Sequence, residues 1–286
     1  MYSQTKNSNM KTYPCILTIA GSDCSGGAGI QADIKTISAL GAYAASAITS
    51  ITVQNTCGVS SIFPIPAQTV KAQIEAVMTD IRPEAVKIGM VSDPKIVAAI
   101  AQSIRRFQPR YVVFDPVMVS TSGCKLMEDS AIEAIVRELM PLSTLITPNL
   151  SEAEVLTNTK LSSPDEMEEA AGQLLQTGCG AVLIKGGHLP DDKMCDVLKI
   201  ADEEQAHRFT APKIESKNTH GTGCTLSSAI ATFLALGHPL AEAAGKAKEY
   251  IYKGIEAGKD IHIGEGHGPL NHFFNPAEMH ILDKNV

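Results

Sequence analysis

Short apolar, β-branched runs alternate along the chain with stretches whose apolar residues recur at helical spacing. Residues 15–20 read as a buried strand. After a glycine-rich turn, Ile30, Ile34, Ile37 and Leu40 then fall on one face of a helix. Residues 47–53 and 59–65 read as strands, and Pro66 opens a helix to about Thr79. The alternation continues with a strand at 86–90, a helix at 94–107, a strand at 111–114, a helix at 128–140 and a strand at 145–147. Ser163 and Pro164 are suited to cap and start a helix reaching Thr177, followed by a strand at 181–184 and β-like runs at 196–200 and 207–211. Leu226, Ala229, Ile230, Phe233 and Leu234 give a helix one apolar face. A last helix at 239–257 precedes a tail rich in glycine and histidine.

A β, α, β, α order predicts an α/β fold: a central, mostly parallel sheet with helices on both faces, because parallel strands need crossovers. No linker, repeat or low-complexity segment interrupts it, so a flexible tail at 1–12 and a single domain at 13–286 are expected. Ligands of such sheets bind outside the carboxyl ends of the strands. The polar residues that directly follow predicted strands are Ser22 and Asp23, Gln54 and Asn55, Asp115, Asn149 and Glu152, and Lys185.

The segment from Ser216 to Gly237 is a glycine-loosened loop running into a helix. Gly221 and Gly223 allow a ligand to approach the backbone, and the first-turn amides carry the positive end of the helix dipole, which makes an anion site. Cys224 lies in the same turn, where the dipole is expected to lower its pKa and make it the most readily alkylated cysteine. A core helix capped by glycine, with a buried cysteine, fits the same pattern. In the first glycine loop, Gly21 and Gly26 have P-loop spacing, but Gly27 and Ala28 stand where Lys and Ser or Thr belong. Gly27, Gly29 and Ala32 satisfy the dinucleotide fingerprint, yet no acidic residue occurs between Asp33 and Glu75, where a ribose partner is required.

Composition narrows the classes further. A formal charge of −7 argues against a nucleic-acid surface. Seven cysteines without a C-x-x-C pair give neither a disulfide framework nor a zinc site, and suit a reducing cytoplasm. With no apolar leader in the first dozen residues and no long apolar run, neither secretion nor a membrane span is expected.

Several motifs in one order carry a resemblance: G-S-D-C-S-G-G-A-G-I-Q-A-D, V-Q-N-T, K-I-G-M, D-P-V-M, T-P-N-L-S-E-A-E, I-K-G-G-H and K-N-T-H-G-T-G-C-T-L-S. Together they resemble the hydroxymethylpyrimidine and phosphomethylpyrimidine kinases of thiamin biosynthesis, in the ribokinase superfamily. The resemblance implies a ribokinase-like fold and ATP-dependent phosphorylation of 4-amino-5-hydroxymethyl-2-methylpyrimidine, then of its monophosphate to the diphosphate. It implies a pyrimidine pocket from Gly21, Asp33, Gln54, Met90 and Val117, with Gln54 bonding the ring. Asn149, Lys185, Thr219, Gly221 and Gly223 would hold the nucleotide, and Asp115 and Glu152 would lie at Mg²⁺. Cys224 would be the general base, beside the amides of Gly221, Thr222 and Gly223. Taken singly, Asp33 also reads as a solvated helix residue, Gln54 as a turn residue, Met90 as core and Lys185 as a surface lysine. His188 and His220 receive no role. Cys24 stands where these kinases often have proline. Cys224 narrows the superfamily, many of whose members carry Asp there, but some pyridoxal kinases share it. Pyridoxal kinase is therefore the alternative activity, and a non-catalytic nucleotide or vitamin-precursor binding protein the alternative class. A homodimer is the expected assembly.

Overall fold

The computed structural model describes residues 10–118, 129–187 and 193–284. The elements, in chain order, begin with β1 (Met10–Thr12), β2 (Cys15–Asp23), α1 (Gly29–Ala39), β3 (Tyr43–Asn55) and β4 (Gly58–Pro64). Next come α2 (Ala67–Asp80), β5 (Ala85–Ile88), α3 (Pro94–Phe107), β6 (Tyr111–Phe114), α4 (Asp129–Glu138) and β7 (Leu145–Ile146). They are followed by α5 (Leu150–Thr157), α6 (Pro164–Leu175), β8 (Ala181–Ile184), β9 (Lys193–Ile200) and β10 (His207–Pro212). The chain closes with α7 (Thr222–Ala235), α8 (Leu240–Gly258) and β11 (Leu282–Lys284).

Nine strands form one sheet in the order β10-β9-β8-β7-β6-β5-β2-β3-β4. Pairing is parallel from β3 through β8 and antiparallel at the margins, where β4 joins β3, and β9 and β10 follow β8. The sheet is thus mostly parallel, as the β/α alternation predicts. It is covered on both faces, so the central strands are apolar throughout and alternate residues serve opposite cores. Leu17, Ile19, Val86, Ile88, Val112 and Phe114 pack with residues of α2, α3, α4 and α6. Ile16, Ala85 and Val113 pack on the other side with α1, α7 and α8.

Local signals set several helix starts. Asp93 caps α3 by accepting from the Lys95 N–H, with Pro94 at the first position. Ser163 and Glu166 form a reciprocal capping box at α6. Three elements depart from the sequence reading. The segment after Pro148-Asn149 is a helix, α5, opened by a second capping box between Asn149 and Glu152. Met10–Thr12, within the expected tail, pairs antiparallel with Leu282–Lys284, so the two ends of the described chain are joined. The tail rich in glycine and histidine folds back as well: His267 donates its backbone N–H to the Thr56 carbonyl, and His220 does so to Gly268.

Candidate active site

The parallel strands deliver their last residues to one cavity of about 730 Å³, a size suited to a small ligand with its cofactor. Gly21, Gln54, Met90, Asp115, Val117, Asn149, Glu152, Lys185, Thr219, Gly221, Thr222, Gly223 and Cys224 all line it. Its two glycine loops interlock. Gly221 has a left-handed backbone, φ 81°, and a Cβ there would collide with the Gly27 carbonyl. Only glycine satisfies both conditions.

One half of the cavity is charged. Gly221 caps α7 with no side-chain hydrogen bond, which leaves first-turn amides to face a ligand. Above them, Lys185 Nζ and Asp115 Oδ2 both lie 3.4 Å from where a Cβ on Gly223 would stand. Lys185 is not the bare cation its sequence position suggested: its ammonium is 2.7 Å from Asp115 Oδ1, which also accepts from Thr147 Oγ1 at 3.0 Å. Burial lowers the Lys185 pKa, but the charges of Asp115 and Glu152 outweigh it and hold the group cationic. Glu152 is pushed up to about 7, first by burial and then by Asp115, against the pull of Lys185.

A divalent cation fits this cluster in a limited way. Both Glu152 oxygens accept backbone N–H groups, from Asn149 and Met118, while Asp115 Oδ2 is turned toward Gly223. Among the described residues no group of three or more His, Cys, Asp or Glu side chains is arranged to hold a metal. The donor set suits an ion that keeps several waters and takes phosphate oxygens, as Mg²⁺ does.

Cys224 is half-buried at the junction of the two halves. The expectation of a lowered thiol pKa is not met. Burial pushes the thiol up to about 11, with Asp33 and Asp115 adding to it, and these outweigh Lys87 and the N–H of Gly29. Desolvation therefore exceeds the end-of-helix effect here. Cys24 and Cys57 are exposed whereas Cys224 is half-buried, so access favours alkylation of the first two. Cys124 and His188 lie outside the described residues.

The other half combines apolar side chains with Gln54 and the neighbouring Ser22, Asp23, Thr52 and His220. A Cβ on Gly21 would stand 2.7 Å from Met90 Cε, so the glycine brings backbone and thioether together. Met90, Val117 and Val59 join Gln54 on this wall.

Asp33 is the one predicted site residue that the structure keeps out of the cavity. It is fully buried behind the wall, between the sheet and helices α1 and α7. There it accepts from Thr18 Oγ1 at 2.5 Å, from Ser228 Oγ at 2.7 Å, and from Lys87 Nζ at 2.9 Å to each oxygen. Lys87 points to this face because it alternates with Val86 and Ile88 along β5, and a buried ammonium takes the carboxylate within reach. Burial opposes the Lys87 charge, but Asp33 more than restores it, so the lysine stays protonated.

Sequence reasoning also passed over Asp196, which accepts from the Gly186 N–H at 2.9 Å and pairs with Lys248 across the cavity floor. No motif flags either residue, since β9 and α8 contribute them from distant stretches. His220, given no role, is buried in the wall with its Nε2 2.9 Å from Asp23 Oδ2. Its signal was its place beside Gly221 in the anion loop.

The comparisons agree with this geometry. The family model for phosphomethylpyrimidine kinase matches residues 23–271. A hydroxymethylpyrimidine/phosphomethylpyrimidine kinase of Rhizobium meliloti is 50% identical over 258 residues, spanning 90% of this chain and 96% of its own length. The crystal structure of a phosphomethylpyrimidine kinase from Clostridium difficile superposes with a TM-score of 0.75 at 45% identity, covering 84% of this chain and 99% of that one. An ADP complex of Bacillus subtilis pyridoxal kinase gives a TM-score of 0.84 at 37% identity, covering 91% of this chain and 98% of that one.

Proposed function

The chain belongs to the phosphomethylpyrimidine kinase family, and from that membership we propose that it transfers the γ-phosphoryl group of ATP to the hydroxymethyl group of 4-amino-5-hydroxymethyl-2-methylpyrimidine, and then a second phosphoryl group to the monophosphate formed. The observation that carries this reading is one cavity with a charged cluster on one side and apolar side chains around Gln54 on the other, with Cys224 within reach of both Asp115 and the Gly29 N–H. Phosphoryl transfer asks chiefly for positioning and charge neutralisation. The amides of Gly221 and Gly223 at the start of α7 receive phosphate oxygens, with Thr222, whose N–H already meets the Thr219 carbonyl, and Thr219 and Asn149 along the nucleotide side. Lys185 neutralises the charge that develops on the leaving phosphate. Asp115 and Glu152 would hold Mg²⁺, which supplies further neutralisation of the phosphates when bound.

On the acceptor side, Gly21, Met90 and Val117 enclose the ring and Gln54 bonds its polar edge. Cys224 takes the proton of the attacking hydroxyl. Because its thiol is pushed up to about 11, little thiolate exists at neutral pH, so turnover should climb as pH rises toward that range. Two copies of the chain form the working assembly in this proposal, in the cytoplasm.

The second reading, pyridoxal kinase, is favoured by the higher TM-score with the Bacillus subtilis enzyme. The lower identity to that enzyme than to the Clostridium difficile one ranks it behind. Coupled ADP release, run side by side with the hydroxymethylpyrimidine, its monophosphate and pyridoxal, separates the readings. The two pyrimidines should be turned over and pyridoxal far more slowly. Preference for pyridoxal would install the second reading, and no turnover with any acceptor would leave a binding protein.

A further inference from the structure

His220 stands where three parts of the cavity wall meet. Its own loop leads into Gly221, Asp23 comes from the end of β2, and Gln54 from the end of β3. Asp23 is engaged as an acceptor throughout. Its Oδ1 takes the Ser25 N–H and hydroxyl, its Oδ2 takes the N–H groups of Gly27 and Ala28, and His220 Nε2 is 2.9 Å from Oδ2. Burial alone would raise the Asp23 pKa, yet the bonds from His220, Ser25 and Ala28 hold it well below the usual carboxylate range. His220 Nε2 must then carry a hydrogen, whatever the state of the other ring nitrogen.

That hydrogen decides how Gln54 is turned. The structure places its amide nitrogen 3.2 Å from His220 Nε2 and its amide oxygen 3.2 Å from Thr52 Oγ1. With the amino group at the histidine end, two N–H donors would meet head to head. With the carbonyl there, His220 N–H is shared between Asp23 and Gln54. The Gln54 amino group then donates to Thr52 Oγ1, whose own hydrogen goes to the Ser22 carbonyl at 3.0 Å. The two ends of an amide occupy almost the same space, so the network makes the choice. In this arrangement one carbonyl lone pair and one amino hydrogen of Gln54 are left for the cavity.

We propose that Asp23 and His220 are a positioning pair that fixes the Gln54 amide with its carbonyl toward His220 and its amino group toward Thr52, and so selects a heterocycle edge with an amino donor beside a ring-nitrogen acceptor. An aminopyrimidine has that edge, and every donor and acceptor of the amide is then matched. The proposal rests on Gln54 being the residue that reads the ring. The pair acts through Gln54 and touches no reacting atom.

A double-mutant cycle on the full chain tests it, with the hydroxymethylpyrimidine as acceptor. Gln54→Leu should raise KM for the pyrimidine by about 10-fold or more, the loss of one buried hydrogen bond with its partner left unpaired. His220→Ala should raise it nearly as much, the double variant should be no worse than Gln54→Leu alone, and KM for ATP should stay within about twofold throughout. Should His220→Ala fail to fold because Gly27 loses its packing partner, Asp23→Asn carries the same cycle. Effects that multiply in the double variant, or a rise in KM for ATP of equal size, would overturn the proposal while leaving Gln54 as the ring reader. No effect of Gln54→Leu would remove Gln54 itself and the proposal with it.

Discussion

The two halves of the cavity solve opposite problems. The nucleotide half gathers α7 amides, Lys185, Asp115 and Glu152 within one cluster, where each charge is held by another: Lys185 by Asp115, Glu152 by backbone N–H groups. The acceptor half sets glycine, Met90 and Val117 around one neutral amide, with the pair of Asp23 and His220 beside it. A phosphate arriving in the first half meets preorganised dipoles and cations, which cost little to reorganise. A flat heterocycle arriving in the second half gains affinity from apolar burial and specificity from one amide. Charge in the nucleotide half faces the groups that change during reaction, whereas in the acceptor half the Asp23 carboxylate is engaged by His220 and by loop N–H groups.

The sharpest way to break this division is at its boundary. Cys224→Ala should lower kcat by about 10²-fold, the low end for a general base because so little thiolate is present at neutral pH, and should abolish the rise of rate with pH. Cys224→Asp should keep part of the rate and flatten the pH profile. A Cys224→Ala enzyme with normal turnover across pH would leave the amides and cations as the whole machinery.

Within the charged half, Lys185→Gln should cost about 10- to 100-fold in kcat/KM for ATP, as expected for a charge-assisted contact. KM for the pyrimidine should hardly move. Equal losses for both substrates would show that the halves are not separable. Within the apolar half, Val117→Ala removes roughly two methylene equivalents of ring contact, about 1.5 kcal/mol, and should raise KM for the pyrimidine by about tenfold with ATP unaffected.

Much of this division was legible in the sequence, for physical reasons that differ between residues. The fold followed from periodicity, because a doubly covered parallel sheet forces apolar strands and amphipathic helices in alternation. Gln54, Asp115 and Lys185 were found because the residue after a parallel strand stands at the binding edge, whatever the helices do. Asp33 was misplaced because its family motif shows which helix it rides on but not which side of the wall its carboxylate faces. The buried Lys87, 54 residues further along the chain, draws it inward together with Thr18 and Ser228. The Cys224 pKa was misjudged because the helix end is a local signal, whereas desolvation is a property of the assembled cavity. Helix α5 was missed because Asn149 and Glu152 were read as ligands alone, when their side chains also form its capping box.

The smallest effect on turnover should come from a group outside both halves. His272 is buried against Thr225 of α7, with its Nε2 3.1 Å from the hydroxyl, and burial brings its pKa down to about 4, with Lys35 contributing. Its folded-state pKa is depressed, so its contribution to stability is present above the ordinary value near 6.5 and is lost as pH falls from there through about 4. His272→Gln should leave turnover at neutral pH within about twofold and flatten the fall of unfolding free energy over that window, by at most about 3 kcal/mol. An unchanged acid limb would assign the loss of stability to other groups.

The central claim is that one cavity phosphorylates the pyrimidine twice. Following the reaction by ³¹P NMR, with excess ATP and the hydroxymethylpyrimidine as sole acceptor, reads this without a coupling enzyme. The account predicts a monophosphate signal that rises and then gives way to the diphosphate, with the first step slowed by Cys224→Ala and the second, whose attacking phosphate oxygen carries no proton at neutral pH, largely spared. A monophosphate that accumulates without further conversion, or the absence of any phosphorylated pyrimidine, would contradict it.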